Sequence, residues 1–299
     1  MTHSPLIAGL ELGGTKCVAI LGTGPGDVRA CETVPTEDPG TTLAALEKVL
    51  DGWSFDAIGI ASFGPLDLDP HSPHFGSISA TPKPAWTGTD LKNRFTTRYG
   101  KPLAIQTDVI GAALAEQRWG AAQELKSHCY ITVGTGVGVG LISGGRPVQG
   151  AAHCEAGHMR VLRAVGDDFA GACPFHGDCV EGLISGPAIA RRFGRPGHEL
   201  ADDSAEWDLL VHDLTGLLHN LVVTVAPERI AIGGGVMAPR EWLFPKLRAA
   251  LAASIAEYGS LASYAGQLDF RLGPPGLGTM AGPLGALATG HFLTANAIL

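Results

Sequence analysis

The sequence predicts an α/β protein with largely parallel sheets. Short apolar runs close on glycine turns at three places, "LIAGLELGGTKCVAI" (Leu6–Ile20), "HCYITVGTGVGVGLI" (His128–Ile142) and "RIAIGGGVM" (Arg229–Met237). Strand-like and helix-like segments alternate between them. The first two runs also share one design, apolar run, glycine turn, apolar run, which suggests two related halves that each open on a hairpin.

Taken in order, Leu6–Ile20 reads as strand, turn and strand, because apolar runs of four to eight residues bounded by glycine behave as buried strands. Thr41–Leu50 reads as a helix, Ala57–Ala61 as a strand, Leu91–Tyr99 as a helix, Leu103–Gln106 as a strand and Val109–Trp119 as a helix. In the second half Pro187–Phe193, Glu206–Val225, Trp242–Glu257 and Ala281–Ala297 read as helices. Pro65–Trp86, rich in Pro, Ser and His, and Gly144–Gly182 read as long loops, which in compact proteins are often functional.

The chain has 299 residues, enough for two domains with a core each. Its net charge of −8, without a long basic run, argues against nucleic acid or an anionic membrane as partner. No run approaches the roughly 18 apolar residues of a membrane span. The start lacks a basic segment followed by an apolar one, so a cytoplasmic location is expected. In that reducing setting the six cysteines are expected as thiols or metal ligands.

Glycine turns let backbone N–H groups converge on an anion. "GGTK" (Gly13, Gly14, Thr15, Lys16), "GTG" (Gly134, Thr135, Gly136) and "GGG" (Gly233, Gly234, Gly235) could each be no more than a tight hairpin. Three of them at strand ends favour a nucleotide phosphate site. None fits the P-loop pattern, and no G-x-G-x-x-G opens a helix after the first strand. Asp108, between a strand and a helix, is either a helix N-cap or a carboxylate working at the sheet's edge. Cys173, His176 and Cys179, spaced Cys-x2-His-x2-Cys, supply three ligands of the type tetrahedral zinc takes. On spacing alone His153, Cys154 and His158 compete for the fourth place. Two buried thiols beside a solvent histidine is the plainer alternative.

Together these pieces resemble the ROK family of sugar kinases and repressors, from "GLELGGTK" to "PPGLGTMAGPLGALA". The pair "HCEAGH" and "CPFHGDCVEGLISGPAI", with "IASFGPLD" (Ile60–Asp67) and "ATPKPAW" (Ala80–Trp86), is similar to its fructokinase branch. The resemblance implies a two-domain actin-like ATPase (ribonuclease H-like) fold, with a cleft between domains that closes on substrate and a zinc-bound loop. It implies Asp108 as general base toward a sugar hydroxyl, and Glu155, His158 and Glu181 beside the sugar, with Gly64, Pro65 and Thr107. It selects His158 as fourth zinc ligand, with Cys173, His176 and Cys179, so that the metal pins the loop bearing Glu155. Gly13–Lys16, Gly134–Gly136, Pro187 and Gly233–Gly235 would line the ATP site, with Mg2+ accompanying the nucleotide.

The expected domains are residues 1–112, with the helix 283–297 packing back on them, and 113–282, with the zinc loop at 151–182. The expected partners are ATP and a hexose, fructose first, with a homodimer among the allowed assemblies and neither nucleic acid nor membrane. Glucose, mannose or N-acetylmannosamine kinase is the alternative activity, and a non-catalytic sugar-binding regulator the alternative class. Three positions depart from the family pattern. Glu11 replaces the Asp of many members, Ile110 the usual Asn of "D-x-N-A-A", and Cys154 the usual Pro. Repressors of the family carry an N-terminal DNA-binding domain, and only a few residues precede the first strand here.

Overall fold

The computed structural model describes residues 4–256 and 258–296. The chain begins β1 (Ile7–Leu12), β2 (Lys16–Gly24), β3 (Asp27–Pro35), α1 (Pro39–Leu50), β4 (Ala57–Ser62), α2 (Leu91–Tyr99), β5 (Leu103–Thr107) and α3 (Asp108–Trp119). It continues β6 (His128–Val133), β7 (Val137–Ser143), β8 (Arg146–Pro147), α4 (Val180–Ile184), α5 (Gly186–Phe193), α6 (Glu206–Val225) and β9 (Arg229–Gly233). It ends with α7 (Phe244–Ile255), α8 (Leu261–Ala265), α9 (Leu268–Arg271), β10 (Leu272–Gly273) and α10 (Ala281–Asn296). Among the described residues no helix is long and apolar enough to cross a membrane.

Two units divide these elements. The first holds the described residues up to Glu124, Pro147–His153 and those from Met280 on; the second holds Leu125–Arg146 and Cys154–Thr279. The sheet of the first unit has the order β3-β2-β1-β4-β5. β1 runs antiparallel to β2, with Gly9 opposite Ile20, and parallel to β4, with Leu10 opposite Ile60. β4 is parallel to β5, with Ile60 opposite Ile105. Alternate residues of these strands (Leu10, Leu12, Ile58, Ile60) pack with Leu43 and Leu46 of α1, Phe95 of α2 and Trp86 in one apolar core. α10 packs against β1, β4 and α3. The α3–α10 contact needs glycine on both sides, since a Cβ on Gly285 would lie 2.5 Å from the carbonyl carbon of Gly111. That close approach fixes α3, and with it the residue at its first turn.

In the second unit the sheet order is β10-β9-β6-β7-β8. β6 is antiparallel to β7, with Ile131 opposite Val139, and parallel to β9, with Ile131 opposite Ile232. Both sheets therefore carry an antiparallel hairpin whose first strand is parallel to a later strand. α6 buries Leu210, Leu214, Leu217, Leu218 and Leu221, one face at helical spacing, and packs on α7 and α4.

Several sequence expectations need correction. The division falls after Glu124 rather than after residue 112, because α3 continues unbroken to Trp119 and belongs with its partner α10. Residues 151–153 of the expected zinc loop group with the first unit, and that loop is not wholly irregular, since α4 starts at Val180. The helix expected at Trp242–Glu257 is a 3₁₀ turn at Glu241–Leu243 followed by α7. Its expected last residue, and the end of the C-terminal helix at 297, lie outside the described residues. β3 went unread because it is an edge strand with most side chains in solvent, among them Arg29 and Glu32, so it lacks an apolar run.

Candidate active site and metal centre

Three parallel strands of the first unit end side by side, β1 at Leu12, β4 at Ser62 and β5 at Thr107. Their carboxyl edge is where open α/β sheets present ligand groups. Leu12 leads into the Gly13–Lys16 turn, Ser62 into Phe63-Gly64-Pro65, and Thr107 into Asp108. Thr107, not Asp108, caps α3: its backbone is extended and its Oγ1 accepts from the Ile110 N–H at 3.3 Å. The cap alternative for Asp108 is thereby replaced. Asp108 is the first residue of the helix, half-buried, and its Oδ1 accepts from the Val109 N–H at 2.9 Å. Ile110, 4% exposed, turns into the core of the unit. His153 serves this edge too, because its Nε2 accepts from the Leu66 N–H at 3.0 Å, just past Gly64 and Pro65.

Glu11, which the sequence marks only as a departure from the family pattern, is the lone acid in the buried strand β1. Burial pushes its carboxyl up to about 7, the negative charge of Asp108 adds to that, and Lys16 opposes it. The two carboxylates therefore feel each other beside the glycine turn. Between about pH 4.5 and 7 the folded chain holds a proton on Glu11 that the unfolded chain has released. Stability from this group is complete below the lower value and is lost as the pH rises through the upper one. Glu11→Gln should flatten that fall and gain up to about 3 kcal/mol near pH 8. Urea melts across the range, without magnesium or nucleotide, check it. An unchanged slope in the variant would mean that Glu11 ionises as it does in water.

In the second unit β6 and β9, parallel neighbours, end in the other two glycine turns. The Gly134 N–H donates to the Gly136 carbonyl at 2.8 Å, and the Gly134 carbonyl accepts from Gly186 N–H, just before Pro187, at 2.7 Å. The Val236 N–H donates to the Val133 carbonyl at 2.9 Å. Gly134–Gly136, Pro187 and Gly233–Gly235 are thus gathered in one place. Glu181, in the first turn of α4, accepts from the Val137 N–H through Oε2 at 3.1 Å, and so borders the same turn. Glu155 is exposed and precedes a 3₁₀ turn at Ala156–His158. That turn lies tight on β7, where a Cβ on Gly157 would sit 1.8 Å from the Val137 carbonyl oxygen.

His158, Cys173, His176 and Cys179 come together with their ligand atoms within 4.8 Å of one another. His158 Nδ1 lies 3.4 Å from Cys179 Sγ and 3.8 Å from Cys173 Sγ, and Cys173 Sγ lies 3.7 Å from His176 Nδ1. Tetrahedral zinc with bonds of about 2.0–2.3 Å needs ligand separations of about 3.3–3.8 Å, so geometry and donor set both fit the metal. Burial pushes the Cys179 thiol up to about 11, so a divalent cation would have to displace its proton. The segment is also tied down by charge. Asp178 pairs with Arg160 at 2.6 Å and Arg163 at 3.4 Å. Asp167 pairs with Arg163 at 2.6 Å and with the buried Arg192 at 2.5 Å, and Arg192 continues to Asp213 at 2.8 Å.

Two mixed sheets with glycine turns at the ends of parallel strands are the architecture of the actin-like ATPases, here in the form that the ROK sugar kinases take. The chain belongs to the ROK family, whose profile matches residues 7–291. A fructokinase of Pediococcus pentosaceus is 38% identical over 292 residues, covering 98% of this chain and 100% of that protein. A fructokinase of Zymomonas mobilis is 42% identical over 294 residues, covering 93% and 94%. The crystal structure of a ROK hexokinase from Thermus thermophilus superposes with a TM-score of 0.77 at 28% identity, over 97% of this chain and 99% of that one.

Proposed function

We propose that this chain is a cytoplasmic ATP-dependent hexose kinase that transfers the γ-phosphoryl group to the primary 6-hydroxyl of fructose. The position of Asp108 carries the proposal. It is a carboxylate at the carboxyl edge of the sheet, left out of helix capping by Thr107 and placed beside a glycine turn and a second carboxylate. Fructokinases as relatives along nearly the whole chain support the sugar assignment.

In this mechanism Asp108 accepts the proton of the attacking hydroxyl. Glu155 and Glu181 accept hydrogen bonds from sugar hydroxyls, with His158, Gly64, Pro65 and Thr107 lining the sugar. Backbone N–H groups of the three glycine turns, other than those of Gly13 and Gly134, which donate within their own turns, take the nucleotide phosphates, and Lys16 adds a positive charge. Magnesium, for which Glu11 and Asp108 offer hard oxygen donors, would neutralise phosphate charge. Zinc on His158, Cys173, His176 and Cys179 would have a structural role. It would hold the turn after Glu155 to the start of α4, where the Val180 N–H already donates to the Met159 carbonyl at 2.9 Å.

The test is ADP formation with a panel of hexoses. Fructose should give the highest kcat/KM, because a site built on hydrogen bonds to particular hydroxyls leaves a buried polar group unpaired when one is missing. Glucose or mannose preferred over fructose would reassign the branch and keep the kinase. No ADP formation with any hexose would defeat the kinase.

A further inference from the structure

The segment "ATPKPAW", Ala80–Trp86, has no role in the chemistry above, yet Lys83 reaches from it into the first glycine turn. Its Nζ donates to the Gly14 carbonyl oxygen at 2.5 Å. Every other carbonyl of that turn is held by its immediate surroundings. Thr36 Oγ1 donates to the Gly13 carbonyl at 2.8 Å, the Thr36 N–H to the Thr15 carbonyl at 3.0 Å, and the Gly13 N–H to the Lys16 carbonyl at 3.0 Å. Gly14 is also the open position of the turn: a Cβ built on it would meet nothing within 4 Å, whereas one on Gly13 would lie 2.7 Å from the Lys16 carbonyl oxygen. Glycine leaves the backbone few steric restrictions, and the Lys83 ammonium is the group bound to the carbonyl of this peptide plane.

The Gly14–Thr15 peptide is trans, so its carbonyl and the Thr15 N–H point in opposite directions. Gripping the carbonyl therefore aims the Thr15 N–H away from Lys83. The turn then presents the Thr15 N–H as an anion donor, with the Lys83 charge behind it.

The segment around Lys83 is built to hold it in place. Pro82 and Pro84 flank it, and each fixes its own φ and restricts the residue before it. Ala85 sits at φ 65°, a left-handed conformation that an alanine keeps only when its surroundings enforce it. Trp86 is fully buried, donates Nε1–H to the Glu37 carbonyl at 2.8 Å and meets the Phe63 ring edge-on at 5.1 Å between centroids. Glu37 follows Thr36, which holds the turn from the other side. The Lys83 ammonium also lies 5.7 Å from the centre of the Phe63 ring, beside Gly64 and Pro65.

We propose that Lys83 is a positioning residue for nucleotide phosphate, which orients the Gly13–Lys16 turn by holding the Gly14 carbonyl. The proposal rests on the kinase assignment and adds to it a residue that acts through the turn, with the polyphosphate of ATP as the ligand served.

The experiment compares the full-length wild type with Lys83→Met and Lys83→Arg. Titration calorimetry with magnesium ADP, KM for ATP and for fructose, and thermal melting are the readouts. Lys83 is only half-buried, so melting should stay close to wild type. K83M should weaken ADP binding and raise the KM for ATP by about tenfold or more, the scale of one lost hydrogen bond from a charged group. The KM for fructose should move by less than about twofold, and K83R should recover part of the nucleotide affinity. Unchanged ADP affinity in K83M overturns the proposal, as does an equal loss toward fructose, or unfolding of both variants. ADP binding is read without any sugar, so a wild type that binds ADP but phosphorylates no hexose would defeat the kinase assignment and still decide the role of Lys83.

Discussion

Asp108→Asn is expected to lower kcat by about 10²–10⁴-fold, the usual contribution of a general base, while the melting temperature stays near that of the wild type. The local structure keeps the helix start intact in this variant. An asparagine Oδ1 can still accept from the Val109 N–H, as Asp108 does at 2.9 Å. The helix keeps its cap, because the Ile110 N–H is bound by Thr107 rather than by Asp108. What disappears is the capacity to take a proton, together with the negative charge that helps to push the Glu11 carboxyl up. A folded variant with near-normal turnover would remove Asp108 from the mechanism. Thr107→Ala should cost about 1 kcal/mol of stability through the lost cap and, because Thr107 also lines the proposed sugar site, raise the KM for fructose while leaving the base itself in place.

The second large effect concerns the metal. Purified protein is expected to hold one tightly bound zinc per chain, and Cys173→Ala or Cys179→Ala to lose it, because removing a thiolate leaves three donors where tetrahedral zinc needs four. Elemental analysis under non-chelating conditions reads this directly. The ion pairs of Asp178, Asp167 and Arg192 do not involve the metal, so the helices should survive its loss. The part expected to loosen is the Ala156–His158 turn, so fructose binding should weaken before ADP binding does. Protein without zinc in the wild type would end the metal assignment. Zinc retained in both variants would mean that other residues hold it.

The strands that end in glycine turns were legible in the sequence because a buried strand needs an apolar run and a tight turn needs glycine, and both are local demands. The same holds for α6, whose leucines repeat at helical spacing. Asp108 was visible as a carboxylate between strand and helix, but its neighbour Thr107 decided whether it capped, and the side chain that reaches the Ile110 N–H is settled only by backbone conformation. Three candidate metal donors were visible from Cys-x2-His-x2-Cys. The fourth was ambiguous by spacing and came from the family resemblance. In the fold His158 lies 3.4 Å from Cys179 Sγ, whereas His153 is committed to the Leu66 N–H.

By itself, then, the amino-acid sequence determined the α/β class, the glycine turns, the candidate base and three of the four candidate metal donors, since each depends on residues within a few positions of one another. Only the tertiary structure decided that Glu11 lies beside Asp108, that Lys83 grips the Gly14 carbonyl, that Glu181 borders the Gly134–Gly136 turn, and that Asp27–Pro35 is an edge strand. Each of these joins segments far apart in the chain, or rests on pairing with a neighbouring strand. Local periodicity carries no record of such contacts; packing creates them.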